Sequence, residues 1–121
     1  MGLDLFFYKT KTKEIGYFRK VNFLIPFFKN QLGCEIENLR KVKIDKEDAE
    51  ELLRRCSAVL DDHSRAKELL PTQEGFFFGS TDYDEYYFED VESVRDYVKD
   101  TLLPEFNKLD SDESIQFEIW Y

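Results

Sequence analysis

This chain of 121 residues predicts a single α+β domain in which a small sheet of about four strands carries one layer of three helices. Three observations predict it. The length is that of one domain, and a hydrophobic content of 42% is enough for a core without a disulfide or a metal. Residues near both ends alternate with the period of strands. Between them lie three apolar stripes at helical spacing, each single-sided, so the helices should cover one face of the sheet. The expected order over residues 1–121 is β-α-β-α-β-α-β.

Leu3, Leu5 and Phe7 alternate with Asp4, Phe6 and Tyr8, so the first strand is aromatic on both faces, and Lys9 to Lys13 read as a polar turn or strand end. From Tyr17 the spacing becomes helical through Val21, Leu24, Phe28 and Leu32, and Gly33 stands where a left-handed cap belongs. Pro26 interrupts this stretch, which predicts either a kink or a helix beginning only near Asn22.

Leu39 to Ile44 forms a short alternating run whose outer residues are basic, as suits an edge strand. Asp45 then caps the clearest helix, with Ala49, Leu52, Leu53, Cys56, Val59 and Leu60 as its stripe and Ile44 placed to staple onto Ala49. Asp61 to Leu70 reads as a loop with one helical turn. Gly75 to Gly79, enclosing Phe76, Phe77 and Phe78, predicts a short strand central in the sheet. Val91, Val94, Val98 and Leu102 predict a third helix capped near Asp90 and ended by Pro104. Glu113 to Tyr121 closes the chain as a strand, with Ile115, Phe117 and Ile119 facing the helices. Phe6, Tyr8, Trp120 and one or two of the phenylalanine triplet would then share an open aromatic face.

Composition excludes several classes. No window approaches the roughly 18 apolar residues of a membrane span, so no membrane role is expected. The opening Met1-Gly2-Leu3-Asp4 fits neither a signal peptide nor, with Phe6 where Ser or Thr is needed, a myristoylation signal, which points to the cytoplasm. Cys34 and Cys56 make neither a disulfide framework nor a zinc site. Residues 1–44 carry nine Lys/Arg against four Asp/Glu, and residues 45–121 carry eight against twenty-two. The net charge of -9 argues against general nucleic-acid binding, which needs clustered basic residues.

The run Leu69-Leu70-Pro71-Thr72-Gln73-Glu74-Gly75-Phe76-Phe77-Phe78-Gly79-Ser80-Thr81-Asp82-Tyr83-Asp84-Glu85-Tyr86-Tyr87-Phe88-Glu89-Asp90 is distinctive as a whole. With the opening Met1-Gly2-Leu3-Asp4-Leu5 and the stretch Tyr17 to Asn22, it resembles a family of small proteins found in bacteriophages and in prophage-bearing or gut bacteria. The resemblance implies a genomic setting, and no reaction, cofactor or catalytic residue.

Within that run, Asp82, Tyr83, Asp84, Glu85, Tyr86 and Tyr87 form the candidate partner-binding segment, because tyrosine offers large contact area, low entropy loss and a polar tip. The plain alternative is that the acids favour a helix N-terminus and the rings pack. Asp82, Asp84 and Glu85 are also candidates to share Mg²⁺ or Ca²⁺, although the glycine and distal glutamate of a calcium loop are missing. His63 lies beside Asp61, Asp62 and Ser64, but neighbours in sequence do not make a triad. Gly75 and Gly79 lack the Lys-Ser/Thr of a phosphate loop. No cofactor is indicated.

The expected function is therefore a non-enzymatic phage or prophage accessory protein that binds a host or phage protein. It would act through the Tyr/Asp/Glu segment or the aromatic sheet face. The competing expectation is a divalent-cation-dependent enzyme or small-ligand binder using Asp82, Asp84 and Glu85. A third use of the aromatic face would be a homodimer contact.

Overall fold

The computed structural model describes residues 2–121. It is an α+β fold, with a four-stranded antiparallel sheet in the order β2-β1-β4-β3 and helices on one face. β1 (Asp4–Lys9) pairs with β2 (Lys13–Arg19) on one side and with β4 (Ile115–Trp120) on the other, so the two ends of the chain meet at the centre of the sheet. β3 (Val42–Ile44) pairs with β4 and forms one edge. Leu5, Phe7, Phe117 and Ile119 point into the helical layer and are buried, as the alternation predicts.

The structure decides the element order at three points. β2 was expected as part turn and part helix, and its alternation is concealed by a bulge. Phe7 pairs with Gly16 whereas Tyr8 pairs with Glu14, which leaves Ile15 as the extra residue. The bulge therefore puts Glu14 and Tyr17 on one face despite their odd spacing. Gly16 is required at this point, because a Cβ there would collide with the Tyr97 ring.

Secondly, α1 (Leu24–Leu32) begins late, which is the second of the two alternatives for this stretch, and places Pro26 in its first turn, where a missing N–H costs nothing. Gly33 supplies the left-handed cap, with φ of 67°.

Thirdly, Gly75 to Gly79 is not a strand and lies outside the sheet. Its three phenylalanines part company: Phe78 is buried against Tyr121, while Phe76 and Phe77 are exposed. A backbone with φ of 61° at Phe77 is incompatible with a strand and turns the chain at that point.

α2 (Lys46–Asp61) forms where its sequence indicates and packs against the other helices of the layer. Asp45 and Asp48 form a capping box in which the Asp45 N–H donates to Asp48 at 2.7 Å, and Gln31 ties α1 to the same carboxylate. A 3₁₀ turn (His63–Arg65) and α3 (Ala66–Leu69) follow.

α4 (Glu85–Tyr97) is capped by Asp84, six residues before the expected cap. Pro104 does not end it. The chain passes through a π turn (Val98–Leu102), in which the Leu103 N–H reaches the Val98 carbonyl, and continues as α5 (Leu103–Asn107). The wider turn accommodates a proline that an unbroken α-helix would reject. Tyr87, Val91, Val94, Val98 and Leu102 are all buried along this path. Among the described residues, no helix is long and apolar enough to cross a membrane.

Candidate functional site

The segment between α3 and α4 is a long loop without regular structure, yet it is closely held. Asn22, buried just before α1, is its main anchor. Its amide nitrogen donates to the carbonyls of Phe78 (3.1 Å) and Ser80 (3.0 Å), and its oxygen accepts from the Gln73 N–H (3.0 Å). A buried asparagine thus satisfies three backbone groups from two sides of one loop.

Thr72 closes the loop's stem, its hydroxyl donating to the Thr81 carbonyl at 2.9 Å and its N–H to the Tyr83 hydroxyl at 3.1 Å. The Leu3 N–H donates to the Phe77 carbonyl at 3.1 Å, which fastens the tip to the start of the chain. The result is a compact surface loop whose stem is fixed and whose tip presents Phe76, 79% exposed, and Phe77.

The six residues expected to bind a partner are divided by this arrangement. Tyr87 is core: its hydroxyl donates to the Leu70 carbonyl at 2.8 Å, its ring meets Phe23 and Phe88, and burial raises its pKa. Tyr83 packs edge-on against Tyr87 and accepts from Thr72. Asp84 accepts the Tyr87 N–H at 3.1 Å as the helix cap. Only Asp82, Glu85 and Tyr86, the last 67% exposed, face outward.

Asp82, Asp84 and Glu85 do not converge as a cation site, and among the described residues no group of three His, Cys, Asp or Glu could hold a metal ion. Asp82 and Asp84 border a cleft of about 160 Å³ with Lys20, Asn22 and Asp90, while Glu85 lies outside it. The Asp90 carboxyl there is pushed up to about 6, first by burial and then by Glu89 and Asp84. His63 stacks on Phe88 with ring centroids 3.7 Å apart and acts as an aromatic platform. Cys56 is buried, and desolvation pushes its thiol up to about 12, away from reactive thiolate chemistry.

A different surface gathers the exposed apolar side chains. On the sheet face away from the helices, Phe6 is the hub of an aromatic cluster, with ring centroids 5.2 Å from Tyr17 and 5.8 Å from both Tyr8 and Trp120. On β1 its members alternate with the buried Leu5 and Phe7, on β4 Trp120 follows the buried Ile119, and on β2 Tyr17 stands between the half-buried Gly16 and Phe18. Toward the β1–β2 turn this face is partly covered: Lys41 lies over the Tyr8 ring and donates to the Lys11 carbonyl, and the Lys11 N–H donates to Gln116 at 2.8 Å.

At the other end the face is open. A groove of about 520 Å³ runs there between Gly2, Asp4, Leu39, Glu118, Trp120 and Tyr121. Trp120 is 47% exposed and Leu39 58%. Asn38 holds the rim, donating to the Tyr121 carbonyl at 3.0 Å and accepting its N–H at 2.9 Å, and the Leu39 N–H donates to Ile119.

Leu39 has φ of 65°, so two bulky apolar residues of this end, Leu39 and Phe77, are both held in the left-handed region. Phe78 links the loop to the groove through its contact with Tyr121. The alternation points to Phe6, Tyr8 and Trp120 as members of this face, whereas Leu39, Tyr121 and the loop tip have no such signal. The turn-forming residues around Phe76, with Pro71 before and glycines on both sides, are the trace in the sequence that the tip leaves. In comparison with known proteins, no family model, no curated protein and no solved structure matches this chain.

Proposed function

We propose that this chain is a non-enzymatic accessory protein of phage or prophage origin, acting in the cytoplasm, that binds another protein through the open aromatic end of its sheet. The observation that supports this reading is the concentration of exposed large apolar side chains there: Trp120, Tyr121, Leu39 and Tyr17, with Phe76 and Phe77 on the adjoining loop. Contiguous apolar surface rimmed by polar groups is characteristic of interaction sites, and tryptophan and tyrosine are the residues that carry most binding energy in such places. Two left-handed bulky residues add to it, because backbone strain is kept where a surface must present a fixed shape.

The Tyr/Asp/Glu segment has the weaker claim, since Tyr83, Asp84 and Tyr87 spend their polar atoms inside the protein. Capture of host and phage proteins by wild type, by a Trp120→Ala/Leu39→Ala variant and by Tyr86→Ala tests the reading. A partner retained by Tyr86→Ala and lost by the double variant is the expected result. Loss on Tyr86→Ala alone would move the site to the helix, and no difference among the three would end the proposal.

A further inference from the structure

The groove beside Trp120 has a charge problem that its aromatic walls do not solve. Two carboxylates, Asp4 and Glu118, line it, and Glu118 is only 6% exposed. Each has one oxygen engaged by a neutral donor, Asp4 by the Tyr17 hydroxyl at 2.6 Å and Glu118 by the Trp120 indole N–H at 2.7 Å. Neither enters an ion pair among the described residues.

Among the described residues, the nearby cations reach only the Asp4 side of the groove. Lys41 is taken by the Tyr8 ring and the Lys11 carbonyl. Arg19, opposite Asp4 across the strands, and Lys20 lie beside Gly2 on the groove's wall, where an added Cβ would stand 3.2 Å from each, and Arg19 also acts on the Tyr17 hydroxyl that Asp4 holds, so the carboxylate left without a cation is Glu118. A carboxylate removed from water and left without a cation is costly unless something supplies the missing charge. Burial first, and then the carboxylates of Glu118 and Glu14, raise the pKa of Tyr8 beside this face.

The geometry points to an arginine side chain of the partner protein as the occupant of this groove. This rests on the protein-binding reading and gives it a chemistry. A guanidinium is planar and weakly hydrated, stacks on an indole face and pairs with carboxylates in a fixed fork. The groove offers that combination, an exposed tryptophan between two acids, with Leu39 and Tyr121 placed for an apolar neighbour of the arginine. Charge complementarity selects it over an acidic or purely apolar segment, and a lysine would lack the planar stacking.

The experiment is selection of a random peptide library by wild-type protein and by Glu118→Gln and Asp4→Asn, each variant first shown by circular dichroism to be folded. Binding is then followed through Trp120, the single tryptophan of the chain, whose emission reports directly on the groove. Wild type is expected to enrich arginine flanked by an apolar residue. The selected peptide should lose at least tenfold in affinity when its arginine is replaced by citrulline, or when either carboxylate is neutralised; two variants guard against one failing to fold. Peptides selected without arginine would overturn the inference and leave protein binding standing. No selected peptide, with Trp120→Ala indistinguishable from wild type in partner capture, would overturn both. Light scattering that shows a dimer dispersed by Trp120→Ala would assign the groove to a second copy of this chain, and so would also overturn it.

Discussion

The two faces of the sheet are built from the same kind of residue and treat it in opposite ways. On the covered face, Phe7, Phe28 and Phe117 pack with centroids 4.4–6.0 Å apart, are fully buried, and have Phe18, Phe27 and Tyr97 as their further ring neighbours. On the open face, Phe6, Tyr8, Tyr17 and Trp120 keep similar spacings but stand among Asp4, Glu118 and Lys41, with hydroxyl and indole groups bonded to carboxylates. Aromatic content therefore does not distinguish core from surface in this chain. The presence of charged neighbours does, because a charge is tolerated only where water or a partner can reach it.

The comparison breaks most easily at its centre. Phe117→Ala should cost about 3–5 kcal/mol, the range for a large ring removed from a close-packed core, whereas Phe6→Ala on the neighbouring strand should cost distinctly less. Chemical denaturation of the two variants checks this, and equal losses would mean that the open face is packed as tightly as the covered one. The second largest effect is expected at Asn22→Ala. It removes partners from the Gln73 N–H and the Phe78 and Ser80 carbonyls, and leaving buried polar groups unsatisfied costs about 1–3 kcal/mol. Limited proteolysis should then cut between residues 72 and 82, at the loop that Asn22 holds, before the rest of the domain unfolds.

How much of this was legible in the sequence depended on whether local pattern or long-range contact decides the structure. β1, β4, the capping of α2 and the open aromatic face follow from period and capping alone, and so does the stripe of α2, whereas Tyr17 of the first stripe lies in β2 and α4 begins six residues before its expected cap. β2 was hidden because its bulge breaks the period that identifies strands. The phenylalanine triplet misled because three consecutive apolar residues look alike whether buried or not. Their fates are set by a side chain more than fifty positions away, Asn22, and by a left-handed backbone at Phe77 that no phenylalanine advertises. The same holds for the groove: Asp4, Leu39 and Trp120 meet only because the chain's ends pair at the centre of the sheet.

Strain offers a sharper version of the contrast, since at the exposed end it falls on two bulky apolar residues, whereas at the β1–β2 turn it falls on the polar Thr10 and Lys11. Phe77→Gly and Leu39→Gly each relieve a left-handed backbone, worth about 1–2 kcal/mol, and give back part of that through the freedom of glycine in the unfolded chain. A net gain of about 0.5–1 kcal/mol in stability is expected from each, together with weaker partner binding. Stabilisation without loss of binding would show that the strain serves no recognition.

The smallest expected effect lies on the helical side, at Asp90. Its carboxyl titrates near 6 in the folded protein, chiefly through burial and then through Glu89 and Asp84, against about 3.9 in an unfolded chain. The folded state therefore holds the proton to higher pH than the unfolded state does. Protonated Asp90 is no burden below about pH 4; between there and pH 6 stability falls as the proton is lost, and above 6 the charge opposes folding fully. Asp90→Asn should consequently match wild type at pH 3.5 and exceed it at pH 7.5 by on the order of 1–2 °C in Tm, a modest figure because Asp90 retains contact with solvent. Glu51, lowered to about 2 by Arg54 and Arg55, imposes the opposite slope at lower pH, but it is present in both proteins and cancels in the difference. An uncompensated carboxylate on the helical side should thus reveal itself as a pH-dependent cost in the protein alone. Should Glu118→Gln also raise Tm in the unbound protein, and should that gain vanish with an arginine peptide bound, both faces would be carrying an unpaired carboxylate, with a partner to relieve it on only one of them.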